Sequence, residues 1–348
     1  MAISRRDFII KGGLAAAGTA ATLGLGLSRD LFAQNSARTD VAQPTAENTQ
    51  VLRYTDLEKS GELERREQAL WELYGPCHIC PRLCGSNRTA GDMGMCSAAG
   101  TFRVASHGPH HGEEAPLRGR RGSGTIFFSN CNLLCVFCLN WQTAHRGDGR
   151  ETSHERLAEM MLDLQNRGCH NINLVTPSHV IPHIVKALRI AVAGGLTLPL
   201  LYNSSGYESM EVLKLLYGIV DIYLPDFKFQ DSGIAARYTN GAANYAEHAS
   251  AAIKEMHRQV GTLKVIGGIA SRGLLIRHLV MPENLAGTDK FVRWVVDELG
   301  NDTHVNIMSQ YTPMFRANEF PPLDRRLTQQ EFSQAMTWAH AAGLRNFH

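Results

Sequence analysis

Net charge is nearly absent from this chain. Lys and Arg number 35 against 33 Asp and Glu, a formal +2 over 348 residues, and that excludes the basic footprint of a nucleic-acid-binding protein. No segment repeats at the roughly 20–50-residue periods of solenoids, and no heptad is sustained. The weakly apolar stretch 12–27 is rich in Gly and Ala and falls short of the ~20 strongly apolar residues a membrane span needs. Length suits one large α/β domain with appendages, at ~150 residues per domain. The most telling absence is local. Cys131, Cys135 and Cys138 crowd into eight residues with no fourth cysteine nearby.

That missing ligand has a chemical meaning. Three thiolates so close together can hold one face of an iron–sulfur cluster, and [4Fe–4S] clusters are normally held by four. One iron is then left with an open coordination position, which is where metal sites react. Zinc also accepts thiolates, but its cysteines usually come as two separated pairs.

A second set, Cys77, Cys80, Cys84 and Cys96, supplies four thiolates and so a closed site. It reads equally as an auxiliary [4Fe–4S] cluster or a structural zinc. The segment around it shows no helix or strand period, so metal is expected to supply its folding energy. Cys169 reads as a buried inert thiol. His107, His110 and His111 read as an exposed loop, and Glu113, Glu114 and Arg118–Arg121 as a charged surface lead-in.

Residues 1–33 read as a Tat signal, because Arg5-Arg6 precede the weakly apolar stretch. Ala33 offers a cleavage point, although Leu31 in front of it is not ideal. The Tat translocase is then a partner and the periplasm the destination. Residues 34–54 are polar and read as a linker. Residues 55–118 hold one amphipathic helix, 55–74, and the cysteine-rich module, and 119–348 form the core. Strands are expected at 125–128, 171–175, 198–202, 220–224, 274–280 and 304–308. Helices are expected at 153–166, 179–193, 209–217, 243–259, 288–299 and 328–342. This alternation predicts a parallel sheet with helices outside, a partial (β/α)6 TIM-like barrel. Reactive groups in such a barrel gather where strands end, and each expected strand here ends in polar residues.

The Cys-x₃-Cys-x₂-Cys spacing, with Phe137 before the third cysteine, resembles the radical S-adenosylmethionine (SAM) superfamily. The runs 122–133, 202–207, 221–228, 273–280 and 305–311 sharpen it. They are similar to those of uncharacterised homologues of the pyruvate formate-lyase activating enzyme, over about residues 70–345. The resemblance implies a [4Fe–4S] cluster on Cys131, Cys135 and Cys138 whose open iron chelates SAM. One electron, from a donor such as a flavodoxin or ferredoxin, then splits the sulfonium to a 5′-deoxyadenosyl radical that abstracts hydrogen from a substrate, by analogy a glycyl-radical protein. It implies Phe137 near the adenine, and Asn203, Asp226, Lys228 and Arg277 near SAM. Arg277 suits a carboxylate; an ion pair among Asp226, Lys228 and Arg277 is the structural alternative. Activating enzymes carry Gly-Gly-Glu after the second strand, where this chain has Thr176-Pro177-Ser178, so no glutamate is carried over. SAM is made in the cytoplasm, which conflicts with export and makes cytoplasmic retention the alternative. An exported iron–sulfur electron-transfer protein is the alternative from another class.

Overall fold

The computed structural model describes residues 53–348, which form one compact unit. The expected Tat signal at 1–33 and nearly all of the expected linker at 34–54 lie outside the described residues. Among the described residues no helix is long and apolar enough to cross a membrane.

Nine strands form the sheet: β1 (Arg103–His110), β2 (Ser123–Phe128), β3 (Arg150–Glu151), β4 (Ile172–Val175), β5 (Leu200–Ser204), β6 (Ile222–Pro225), β7 (Lys264–Ile266), β8 (Ile269–Leu279) and β9 (His304–Met308). Strands β2, β4, β5, β6, β8 and β9 pair in that order, every pair parallel. These are the six expected from sequence. Because the order never reverses, right-handed crossovers put every connecting helix on one side, and the other side faces inward. Of the named strands, β9 pairs with β8 alone, its other edge bridging Phe347, and β1 continues the sheet beyond β2, so the barrel is partial.

Apart from two single-turn helices at Ala115–Arg118 and Trp141–Ala144, the helices among the described residues are α1 (Arg53–Lys59), α2 (Glu62–Glu72), α3 (His154–Asn166), α4 (Ile181–Ala193), α5 (Met210–Leu215), α6 (Ser232–Tyr238), α7 (Tyr245–Val260), α8 (Thr288–Leu299) and α9 (Gln329–Ala341). Helical spacing places Leu157, Met161 and Leu164 of α3 on its buried face, and the Ser153 hydroxyl accepts from the Arg156 amide at its start. Thr328 and Glu331 close a capping box on α9. Strand residues alternate by the two-residue period. Ile126, Leu174, Tyr202 and Tyr223 join the large core under the helices. Leu201, Ile222, Leu224 and Leu275 turn inward to a small cluster completed by Leu117.

Several expectations need correction. The helix expected over 55–74 is two helices, because Gly61 sits in the left-handed region (φ 76) between them. The histidine loop is strand β1, antiparallel to β2. Helix α6 and the hairpin of β7 with β8 went unread. The charged lead-in is surface only in its basic half, where Arg120 and Arg121 are exposed. Glu113 and Glu114 are buried, and Leu117 after them lies in the inner cluster.

Candidate functional site

The first cysteine set grows directly from the end of β2. Asn130 (φ 74) and Leu134 (φ 58) take left-handed conformations that curl the chain after the strand. Cys135 is buried, while Cys131 and Cys138 are half-buried. The Leu133 amide donates to Cys131 Sγ at 3.4 Å. Burial pushes the Cys138 thiol up to about 12, helped by repulsion from Cys131, and burial raises Cys135 further. The loop is clamped from several sides. Arg82 donates to Asn132 O at 2.8 Å and Leu133 O at 3.0 Å, and also to Thr239 O and Asn240 O, both at 2.7 Å. Asn132 Nδ2 donates to Tyr207 O at 2.8 Å, and His145 Nε2 bonds Cys135 O at 3.0 Å. Phe137 packs edge-on to Phe229, ring centres 5.9 Å apart.

Asp226 and Lys228 follow the end of β6. Lys228 Nζ donates to Asp226 Oδ2 at 2.7 Å. Burial works against the lysine's charge, but Asp226 and the Cys135 sulfur hold it protonated. Cys135, Asp226 and Lys228 therefore share one electrostatic site. Gly206 (φ 75) makes this possible, since a Cβ there would stand 2.5 Å from Asp226 O. Asn203, on the inner face of β5, is buried in the same region, and Ser205 Oγ and Asn132 Oδ1 are buried without a hydrogen-bond partner. Such orphaned polar atoms are costly unless something polar meets them.

Arg277 sits beside Asp226 across β6 and β8, but its main partners come from the lead-in. Its Nε donates to Glu114 Oε1 at 2.7 Å and its Nη2 to Glu114 Oε2 at 2.6 Å, with Glu113 also paired to Nη2. Asn306 Nδ2 adds a 2.8 Å bond to Glu114. Burial opposes the Glu114 charge, yet the guanidinium beside it lowers its pKa. The structure thus joins Asp226 to Lys228 and gives Arg277 a pair of buried glutamates, which sequence reasoning missed. A signal existed: one arginine inside the apolar run 273–280 demands a buried counter-charge.

A second missed carboxylate is Glu208. It is fully buried, accepting from Ser178 Oγ at 2.6 Å and Tyr202 OH at 2.9 Å, and burial raises it to about 7. It stands between the ends of β4 and β5, behind Thr176-Pro177-Ser178.

The four-cysteine set lies in irregular chain with a single 3₁₀ turn, Arg88–Ala90. Cys77, Cys80 and Cys96 are buried, and Cys84 is half-buried. Cys77 senses each of the other three electrostatically, and Cys84 hydrogen-bonds with it. Among the described residues no three Cys, His, Asp or Glu side chains are already drawn around one ion-sized point. In chemistry the donor sets fit. Both are free thiols, the soft ligands of iron–sulfur clusters and of zinc. The three-cysteine loop opens beside unpartnered polar atoms and a lysine, as a polar ligand on an open iron requires.

A partial parallel barrel with a three-thiol loop at its strand ends is the class this geometry defines. No protein-family model matches the chain. The uncharacterised protein MJ0674 of Methanocaldococcus jannaschii is 31% identical over 300 residues, covering 84% of this chain and 82% of that protein; this chain belongs to the same family. Solved structures are more distant. A radical SAM methyltransferase from Sphaerobacter thermophilus is 14% identical over 65% of each chain, TM-score 0.45. Streptococcus suis SuiB is 8% identical over 63% of this chain and 46% of its own, TM-score 0.41. Methylornithine synthase (PylB) is 14% identical over 62% and 67%, TM-score 0.40. Likeness this weak carries no argument about function.

Proposed function

We propose that this protein is a radical SAM enzyme. One observation carries the reading: three thiols on a single clamped loop share a site with Asp226 and Lys228, at the strand ends of a partial parallel barrel. Cys131, Cys135 and Cys138 hold a [4Fe–4S] cluster and leave one iron for SAM. Cluster and SAM, when bound, supply reductive cleavage of the sulfonium and hydrogen-atom abstraction from a substrate.

The chain's own residues bind and orient. Lys228 gives one bond to Asp226, which leaves two ammonium protons for a carboxylate. Arg277 uses Nε and Nη2 on the two glutamates, so Nη1 is the nitrogen it offers. Phe137 supplies an apolar wall for the adenine, and Asn203 a polar edge. Cys77, Cys80, Cys84 and Cys96 hold a second metal centre, iron–sulfur or zinc.

Finer parts of the proposal rest on motif resemblance alone: a glycyl-radical protein as target, a flavodoxin or ferredoxin as electron donor, and Tat export. The test is SAM binding to anaerobically reconstituted protein. Tight binding that disappears when the cluster is removed supports the reading. Absence of binding with both metal sites loaded points to an electron carrier instead.

A further inference from the structure

Arg88 is fully buried, 0% exposed, in the middle of the four-cysteine module. Its Nε and Nη2 donate to Ala99 O at 3.0 and 2.9 Å, and its Nη1 to His179 O at 2.7 Å. Its guanidinium stands 3.9 Å from the centre of the Tyr74 ring. Every one of these partners is neutral. No carboxylate pairs with it among the described residues; beyond these partners its charge reaches the Cys77 and Cys96 sulfurs and the His183 ring, which burial and neighbouring charge keep neutral. Arginine cannot shed its proton, and a buried charge without a counter-charge is strongly destabilising.

Among the described residues, the Cys77 and Cys96 thiols are the groups electrostatically coupled to Arg88 that metal binding would turn anionic. A Cβ built on Gly94 would lie 3.3 Å from Cys96 Sγ and 3.7 Å from Arg88 Cδ, so both side chains border one cradle. Neutral thiols would not balance the guanidinium. Metal binding displaces thiol protons, and four thiolates around a dication or a [4Fe–4S] core leave a net negative centre.

We propose that Arg88 is the buried counter-cation of a metal tetrathiolate on Cys77, Cys80, Cys84 and Cys96, and that it ties this centre to the three-cysteine loop. The tie is continuous. Arg88 holds the His179 carbonyl, and the His179 ring bonds Ser129 O through Nε2 at 2.8 Å. Ser129 lies two residues before Cys131. The inference rests on the second metal centre proposed above and is independent of SAM chemistry.

The test uses the full chain with Cys131, Cys135 and Cys138 changed to Ala, so that only the four-cysteine set binds metal. Co(II) affinity is measured by chelator competition, with the thiolate-to-cobalt absorption as readout, with and without Arg88→Gln. Arg88→Gln is expected to weaken binding at least about tenfold, the scale seen when partners of metal ligands are lost. Equal affinities overturn the proposal. Should Arg88→Gln fail to fold, hydrogen exchange on the triple-alanine chain with Arg88 intact decides. Chelation is expected to speed exchange over 75–100 and over 129–135, and unchanged exchange in both segments overturns it. Cobalt binding here, together with no SAM cleavage by the wild-type chain, leaves this proposal standing and sinks the enzyme reading.

Discussion

The loop carrying Cys131, Cys135 and Cys138 leaves a buried strand of a parallel ladder, whereas the segment carrying Cys77 to Cys96 has no ladder of its own. The first is pinned by Arg82, Asn132 and His145 through backbone carbonyls. The second hangs on one buried cation, Arg88, and one phenol, Tyr74, whose hydroxyl donates to His179 O at 2.6 Å. Position at the three-cysteine loop is thus a property of the barrel. On the proposed reading, position in the module depends on what its sulfurs bind. Arg82 links the two, since it stands between Cys80 and Cys84 yet grips the loop of the other set.

This contrast can be broken by substitution. The largest effect is expected from Cys135→Ala. It should lower 5′-deoxyadenosine formation at least about a thousandfold, or ~4 kcal/mol in barrier, while chemical denaturation shows the barrel still folded. Retained nucleoside production would remove the catalytic assignment. Next comes Glu114→Gln, which strips Arg277 of its bidentate partner inside the barrel. Breaking a buried pair in this way costs about 3 kcal/mol, measurable as a lower urea midpoint. An unchanged midpoint would mean that the ion pair carries no structural weight.

Glu208 sharpens the contrast through pH. Its folded pKa, about 7, lies above the ordinary 4.5 because of burial. The folded chain therefore keeps a proton that the unfolded chain releases between those values. Stability accordingly falls as pH rises from 4.5 through 7, by at most about 3 kcal/mol. Glu208→Gln should flatten that slope in urea melts at pH 5, 6 and 7; an unaltered slope would assign the titration elsewhere. The smallest effect belongs to Thr328→Ala, far from both cysteine sets. Loss of the capping box should cost about 1 kcal/mol and leave metal content of both sites untouched.

The sequence made the six parallel strands legible because their aliphatic and β-branched runs are continuous and bounded by turns. Strand β9 and helix α8 fall where the pattern put them. Strand β5 begins two residues later than expected, after Pro199, and runs on through Asn203 and Ser204. Strand β1 escaped because only Val104 of its eight residues is buried, so no alternation was visible. That Cys131, Cys135 and Cys138 share one loop was legible from spacing, and the ion pair of Asp226 with Lys228 stood among the alternatives. Glu113, Glu114, Arg88 and Glu208 were not legible. Charges in loops resemble surface until a distant partner, or a buried void, is known. Each of the four is defined by contacts made at long range along the chain.

On this reading the three-thiol loop and the strand ends around it carry a cluster with one corner for SAM. Protein prepared without oxygen, supplied with iron and sulfide, then given dithionite and SAM, tests it most directly by chromatography of the nucleoside products. The account predicts 5′-deoxyadenosine and methionine in equal amounts, absent when Cys135 is alanine. Fully loaded protein that leaves SAM intact would contradict it.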